Sequence, residues 1–424
     1  MTPPARRLRF CSLTTFYPPF NFGGDGIDVQ RTAQALVRRG HQVTVVHDVD
    51  AYEWLSGRRL PDAPVDQDGV EVIGLRSRLR VLSSVLTHQL GHPLVHGRAI
   101  ARLIRERDFD VVIFNNVSLV GGPGLLSYGR GALRIYMAHE HWLVCPTHVL
   151  WRFNREACDE RACGRCVLAY RRLPQLWRYT GALERRLPEV DVFVARSAFS
   201  RDKHREFGFP QPMEVLPYFL PGTMPETPEE SAPARPHERP YFLFVGRLTK
   251  IKGLDTVIPV FSRYPEADLL VIGDGEELAA LRELARGAPN VRFLGRVRND
   301  QLGPFYRHAI AAVMPTLGYE TFGIVLIEAF RHGAPVIARR VGPLPEIVSA
   351  AGGGLLFGND DELLEAMKRL HEEPGLRDRC AASAYRACRE RWSEDVVIDR
   401  LLGIVQRGLE ARVPVGDLHG VPVA

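Results

Sequence analysis

Short β-branched runs alternate with amphipathic stretches along the whole chain, which is the pattern of parallel sheets covered by helices. In the first half the pattern predicts strands near 7–14, 41–47, 70–75, 110–115, 134–139, 191–196 and 213–218. A second series falls near 241–246, 268–273, 291–295, 310–315, 335–339 and 354–357. Between the two series, residues 221–240 hold six prolines in twenty positions. Proline lacks a ladder donor and resists helix interiors, so this stretch reads as a linker. Near the end, Val397, Leu401, Ile404 and Leu409 make a helix-like stripe behind Ser393, a residue suited to capping the first free amides. Residues 413–424 carry turn residues without a period and read as a loose tail. The fold class that follows is α/β with two doubly wound domains. Their expected bounds are 1–220 and 241–392, with 393–424 forming a terminal helix and tail that pack back towards the first domain.

Composition narrows the class. A chain of 424 residues, 45% hydrophobic and 25% charged, is long enough for two domains with separate cores. Its longest apolar runs fall well short of the ~20 residues needed to cross a bilayer. The first twenty residues have two adjacent arginines but no uninterrupted apolar run behind them, so a secretory signal is not expected. The charge is uneven. Residues 1–216 carry 30 Lys and Arg against 22 Asp and Glu, whereas the remainder carries 25 against 28. A basic first half suits an anionic membrane surface or an acidic partner, or is simply an arginine-rich solvated face.

Ligands of doubly wound folds bind beyond the C-terminal ends of the strands, so unusual residues just after strands are the candidates for chemistry. Gly23 and Gly24, between strand one and a helix starting near Ile27, let backbone amides approach an anion. Their spacing does not match GxGxxG, which disfavours a nicotinamide or flavin dinucleotide. Arg247 and Lys252 follow the first strand of the second series and can grip one diphosphate from two directions. Glu320 precedes an apolar helical run and Glu328 lies inside it. A buried carboxylate there needs a partner, either a structural ion pair or a ligand hydroxyl pair such as a ribose. The amides of Phe322, Gly323 and Ile324 lie at the N-terminus of that helix and suit a phosphate.

These residues, in this order, resemble the retaining GT-B glycosyltransferases of family 4, the group 1 glycosyl transferases. The resemblance spans nearly the whole chain. It includes FYPPFNFGG, the RGHQVTVV strand, FVGRLTKIKG, VIGDGEELAALRELA, VRFLGRV, the two glutamates with seven residues between them, and VGPLPEIV followed by AGGGLLF. It implies two Rossmann-like domains facing across a cleft, and sugar transfer from a nucleotide-sugar with retention of configuration and no catalytic metal. By the same resemblance Glu328 holds the ribose hydroxyls and Glu320 contacts the transferred sugar. Arg247 and Lys252 then neutralise the departing diphosphate, His139 contacts the sugar, and the Gly23–Gly24 loop closes over the diphosphate. One departure is Gly26, where many relatives carry an acidic residue.

The expected enzyme is a cytoplasmic hexosyltransferase, peripheral at the inner membrane face. A UDP-sugar is the expected donor, a lipid-linked or polysaccharide intermediate the expected acceptor, and nucleic acid is not expected as a partner. Stretches 97–107 and 171–187 are basic enough to lie on anionic lipid. A nucleotide-sugar epimerase shares the architecture and is the alternative, and a non-catalytic nucleotide- or sugar-binding scaffold is a third reading.

A further cluster departs from the family. Cys145, Cys158, Cys163 and Cys166 fall in a C-x12-C-x4-C-x2-C spacing just after His139. Four thiolates suit a closed, structural zinc site, with an iron–sulfur cluster on the same ligands as the alternative. His139, His141 and His148 lie near enough to replace one of them. Cys11, Cys380 and Cys388 are scattered and read as core residues.

Overall fold

The computed structural model describes residues 6–61, 66–226 and 234–412. The middle of the proline-rich stretch, 227–233, and the segment 413–424 lie outside the described residues.

Two parallel sheets carry the chain. The first contains β1 (Arg9–Leu13), β2 (Gln42–Asp48), β3 (Asp66–Gln67), β4 (Val70–Leu75), β5 (Val111–Phe114) and β6 (Leu133–Ala138). A small antiparallel hairpin follows, made of β7 (Trp151–Arg152) and β8 (Glu156–Ala157), before β9 (Val192–Ala195) and β10 (Met213–Val215) complete the first sheet. Its order is β10-β9-β6-β5-β1-β2-β4-β3, parallel except for the edge strand β3. The second sheet contains β11 (Tyr241–Val245), β12 (Asp268–Ile272), β13 (Val291–Gly295), β14 (Ala312–Met314), β15 (Val336–Arg339) and β16 (Gly354–Phe357). Its order is β13-β12-β11-β14-β15-β16, and every pairing is parallel.

Each of the thirteen strands read from the sequence is present. The reason is local: strands covered by helices on both faces need continuous apolar side chains, and stretches such as Phe242–Leu243 or Val111–Val112 have no solvent exposure. The three strands not anticipated are two residues long, too short to leave a periodic signal.

Each sheet reverses its strand order once. In the first sheet the chain winds outward on either side of the β1/β5 pair, and in the second on either side of β11/β14. A crevice opens at such a reversal, beyond the C-terminal ends of the two strands. Asn115 and Asn116 follow β5, while Gly246 and Arg247 follow β11. The loop after β14 leads to Glu320.

The helix Glu394–Arg412 lies on the first sheet, where Val397, Ile398, Leu401, Ile404 and Val405 share a core with Leu133 and Ile135. Arg38 makes a two-pronged contact with Glu394, both bonds 2.8 Å, and Arg39 reaches Asp399 at 2.6 Å. Leu220 N donates to Trp392 O at 3.2 Å, so the chain leaving the first sheet meets the start of that helix. No described helix is long and apolar enough to cross a membrane.

Candidate active site

The helix Gly24–Arg38 begins at the reversal of the first sheet, with Gly23 as its extended N-cap. Gly26 lies close to the preceding loop: a Cβ there would stand 2.5 Å from Asn21 Oδ1 and 3.0 Å from Phe16 O, so a side chain would displace Asn21. Asp25, half-buried one position earlier, accepts a bond of 3.1 Å from Asn116 Nδ2. Burial, and then the charge of Glu140, push its carboxyl above the ordinary range.

His139 follows β6 and is buried. Asn115 donates its amide to Ser12 Oγ at 2.9 Å, which leaves its Oδ1 to accept from His139 Nε2 at 2.9 Å. The other ring nitrogen, Nδ1, is therefore an acceptor and faces Tyr218 OH and Arg196, each at 3.2 Å. Burial and the neighbouring Arg196 guanidinium hold the imidazole well below its usual pKa, so it is neutral. Arg196 is itself paired with buried Asp28 at 2.6 Å and lies 4.5 Å above the Tyr218 ring. The group works as a rigid wall under the cleft, with both imidazole nitrogens already engaged.

Arg247 is exposed at the end of β11. Lys252 donates to Glu320 Oε1 at 2.5 Å, both side chains being about a quarter exposed, and Thr316 Oγ1 lies 3.4 Å from the same oxygen. The two charges neutralise each other while remaining open to a ligand. Thr321 Oγ1 donates to His139 O at 3.1 Å and Ser197 Oγ donates to Thr321 O at 2.7 Å. These bonds tie the Glu320 loop of the second sheet to the first.

The helix Ile324–Arg331 starts after Gly323, whose φ of +102° lies in the left-handed region that favours glycine. Among the described residues, no acceptor takes the N–H groups of Phe322, Gly323 or Ile324. A helix N-terminus with free amides is a natural anion site. Glu328, one turn in, accepts a 3.3 Å bond from Tyr306 OH. Burial raises its carboxyl pKa, against the opposing charge of Arg31 on the helix Gly24–Arg38. Arg31 Nη1 is buried without a hydrogen-bond partner.

The structure thus sorts the expected residues into three neighbouring places. Gly23, His139 and Arg247 line one cavity of about 590 Å³, together with Phe22, Trp54 and Arg172. Lys252 and Glu320 form a pair of their own, and Glu328 is held by Tyr306 with the Arg31 charge acting on it. Asn115, Asp28, Arg196 and Tyr218 were not singled out from the sequence. The sequence pattern makes Asn115 and Arg196 the last residues of their strands, but β5 ends at Phe114 and β9 at Ala195. Both therefore obey the same rule that marked Arg247.

The four cysteines are neighbours and unpaired by disulfides. Their sulfurs are not drawn into a cage, however: no three come within 4.8 Å of one another, whereas thiolates on one zinc sit about 3.8 Å apart. The expected tetrahedral site is not formed in this structure, where the side chains are rotated towards hydrogen-bond partners such as Thr147 Oγ1 and Glu160 O. The three ligand-type groups that do converge are Asp48, Asp50 and His96. Two of their carboxylate oxygens are already used, Asp48 Oδ1 capping Ala51 N and Asp50 Oδ2 accepting from Ser77 N while facing His96 at 3.3 Å. This trio locks a turn.

The model of the "Glycosyltransferase Family 4" domain matches residues 22–220, and that of "Glycosyl transferases group 1" matches 226–387. A GDP-mannose-dependent alpha-(1-6)-phosphatidylinositol monomannoside mannosyltransferase of Mycobacterium tuberculosis is 31% identical over 413 residues, covering 91% of this chain and 93% of that protein. A related GDP-mannose-dependent mannosyltransferase of Corynebacterium glutamicum is 32% identical, but the match covers 51% of this chain and only 62% of that protein's length. Among solved structures, the sucrose-phosphate synthase of Thermosynechococcus elongatus superposes with a TM-score of 0.68 over 96% of this chain and 100% of its own, at 16% identity. Anabaena HepE in complex with UDP gives 0.65 over 94% and 100%, also at 16% identity. With two parallel-sheet domains facing each other and a full-length relative above 30% identity, this chain belongs to the group 1 glycosyl transferases and has their GT-B fold.

Proposed function

We propose that the protein transfers a hexose from a nucleotide-sugar to a lipid-linked or glycan acceptor, with retention of anomeric configuration, and that the donor is GDP-mannose. What supports this reading is that Arg247, the Lys252–Glu320 pair and the three free amides 322–324 all lie on segments that follow β11 or β14, the two strands at the reversal of the second sheet. Arg247 lines the same cavity as the neutral His139, and Thr321, between Glu320 and those amides, donates to His139 O. A nucleoside diphosphate leaves with growing negative charge, and fixed cations and helix-end amides stabilise that charge most in the transition state. The GT-B architecture calls for no catalytic metal, and here arginine and lysine supply the positive charge. Glu328 then receives the ribose hydroxyls, its raised pKa relieved by two good donors. The cavity against Phe22 and Trp54 takes the acceptor. GDP-mannose is preferred to the UDP-sugar anticipated from sequence because the relative matched over most of the chain uses it.

The test is a thermal-shift panel of nucleoside diphosphates, followed by transfer assays. GDP at a hundredfold excess over its Kd should stabilise the protein by about 2.7 kcal/mol. Glu328→Ala should weaken that binding by roughly 1–3 kcal/mol. Stabilisation by UDP alone would move the donor assignment to a UDP-sugar. No binding by any nucleoside diphosphate would sink the transferase reading, and conversion of the donor sugar without acceptor would favour an epimerase. The anomeric proton of the product reports retention.

A lipid-linked acceptor requires the first domain to meet a membrane, and its surface suits one. Leu79, Leu82, Leu173 and Leu176 are about half exposed or more, beside exposed Arg78, Arg80, Arg171 and Arg172. Apolar side chains rimmed by arginine favour the interface of anionic lipid, each basic residue adding about 1 kcal/mol near the surface. Co-sedimentation with anionic vesicles at low salt, and release as salt rises, is the expected result. Indifference to such vesicles at low salt would point to a soluble acceptor.

A further inference from the structure

The 145–170 segment is a small structure without a core of its own. Strands of two residues do not hold a hairpin by themselves. Four of the non-glycine residues with left-handed backbone fall here, His148, Leu150, Phe153 and Asn154, at φ between 46° and 75°. Such conformations persist only where the surroundings impose them. What ties them down is bonding to the cysteines, with His148 N donating to Cys145 O at 3.1 Å. Cys145 precedes the hairpin, and Cys158 is joined to it by a 2.8 Å bond from its N–H to Leu150 O. The short helix Cys163–Ala169 lies against it through Phe153 N–H donating to Cys166 Sγ at 3.3 Å and Tyr170 OH donating to Trp151 O at 2.7 Å.

We propose that Cys145, Cys158, Cys163 and Cys166 are the ligands of one structural zinc ion, closing round it when their side chains turn inward from their present hydrogen bonds. Three of the four are buried and all are free thiols. Four thiolates on one divalent ion leave a net charge of −2, and arginines are placed to balance it. Arg161 and Arg178 are near enough to act on Cys163, and Arg178 on Cys145 as well, whereas Arg152, near Cys158 and Cys166, is already paired with Glu156. Arg178 spends its hydrogen bonds on the neutral oxygens of Gln175 and Trp142, and among the described residues no carboxylate lies within ion-pair distance of it. An N–H···S bond such as that from Phe153 is the kind of outer contact that steadies a metal-bound thiolate. Four sulfur ligands fill a tetrahedral ion, so the metal organises and does no chemistry.

What it organises lies on the cleft. Pro146, Thr147, His148 and Val149 line the large cavity. Tyr319 OH donates to Asp159 Oδ1 at 2.6 Å, and Tyr319 adjoins Glu320. The thiol-held loop therefore touches the second domain next to the Lys252–Glu320 pair.

Metal analysis of protein purified without added metal should find about one zinc per chain, with the four thiols protected from a thiol reagent until a strong chelator is added. Chelation should also open the 145–166 segment to limited proteolysis. Cys163→Ser, at the most exposed of the four, should lower zinc retention, whereas Cys380→Ser should not. If Cys163→Ser fails to fold, zinc content and thiol protection of the unmodified chain still decide the matter. Absence of zinc with immediate reaction of all four thiols, disulfide pairing, or iron with visible absorbance would each overturn the assignment. None of these readouts involves sugar transfer, so they stand or fall apart from the enzymatic reading.

Discussion

Replacing Arg196 by leucine should lower folding stability by about 3–5 kcal/mol, because it leaves the Asp28 carboxylate buried without its cation. Arg196 and Asp28 are 4% and 1% exposed and meet at 2.6 Å, so water has no route to compensate. Equilibrium unfolding in urea measures the loss. The double variant Arg196→Leu with Asp28→Asn should lose less than the single one, since no unpaired charge remains. The deficit should also shrink on acidification. In the parent protein, burial and Arg196 keep His139 from protonating, which costs stability as pH falls through the ordinary histidine range. Without Arg196, the imidazolium would face Asp28 at 3.7 Å and be favoured in the folded state. A change within about 0.5 kcal/mol at neutral pH would show that the pair is replaceable, and the rigid wall beneath the cleft would need another explanation.

Lys252→Ala should cut turnover by about 10²–10³, the typical loss when one preorganised charge partner of a developing anion is removed. Donor affinity should fall much less, because the diphosphate carries most of its new charge only as the glycosidic bond breaks. Comparing kcat with the Kd for donor separates the two. Normal turnover with weaker donor binding would make Lys252 a ground-state anchor. The Glu320 carboxylate freed by this substitution is a quarter exposed, so it can be solvated, and folding stability should change little.

Both substitutions act at places the chain assembles from distant segments, and this separates what was legible in the sequence from what was not. The strands could be read because each buried parallel strand must supply its own continuous apolar run, as in Tyr241–Val245. Arg247, Lys252, Glu320 and Glu328 were visible because a charged residue just after a strand, or within an apolar helix, conflicts with the local pattern. The terminal helix could be read from its stripe of Val397, Leu401 and Ile404.

Other features are properties of pairs, and a sequence gives no distance between residues. Arg196 is 168 residues from Asp28, and nothing local marks either as half of a buried ion pair. Asn115 selects the His139 tautomer only because β5 and β6 are neighbours in the sheet. The close approach of Asn21 and Phe16 O to Gly26 is visible only in the turn geometry. For the cysteines, spacing gathered the four thiols into one segment, while tertiary structure set where each sulfur points and surrounded them with arginine. Local pattern is enough to determine which face of an element is buried. The chemistry of the cleft depends on which buried groups meet, and that was decided by the order of strands in the two sheets and by the loops that join them.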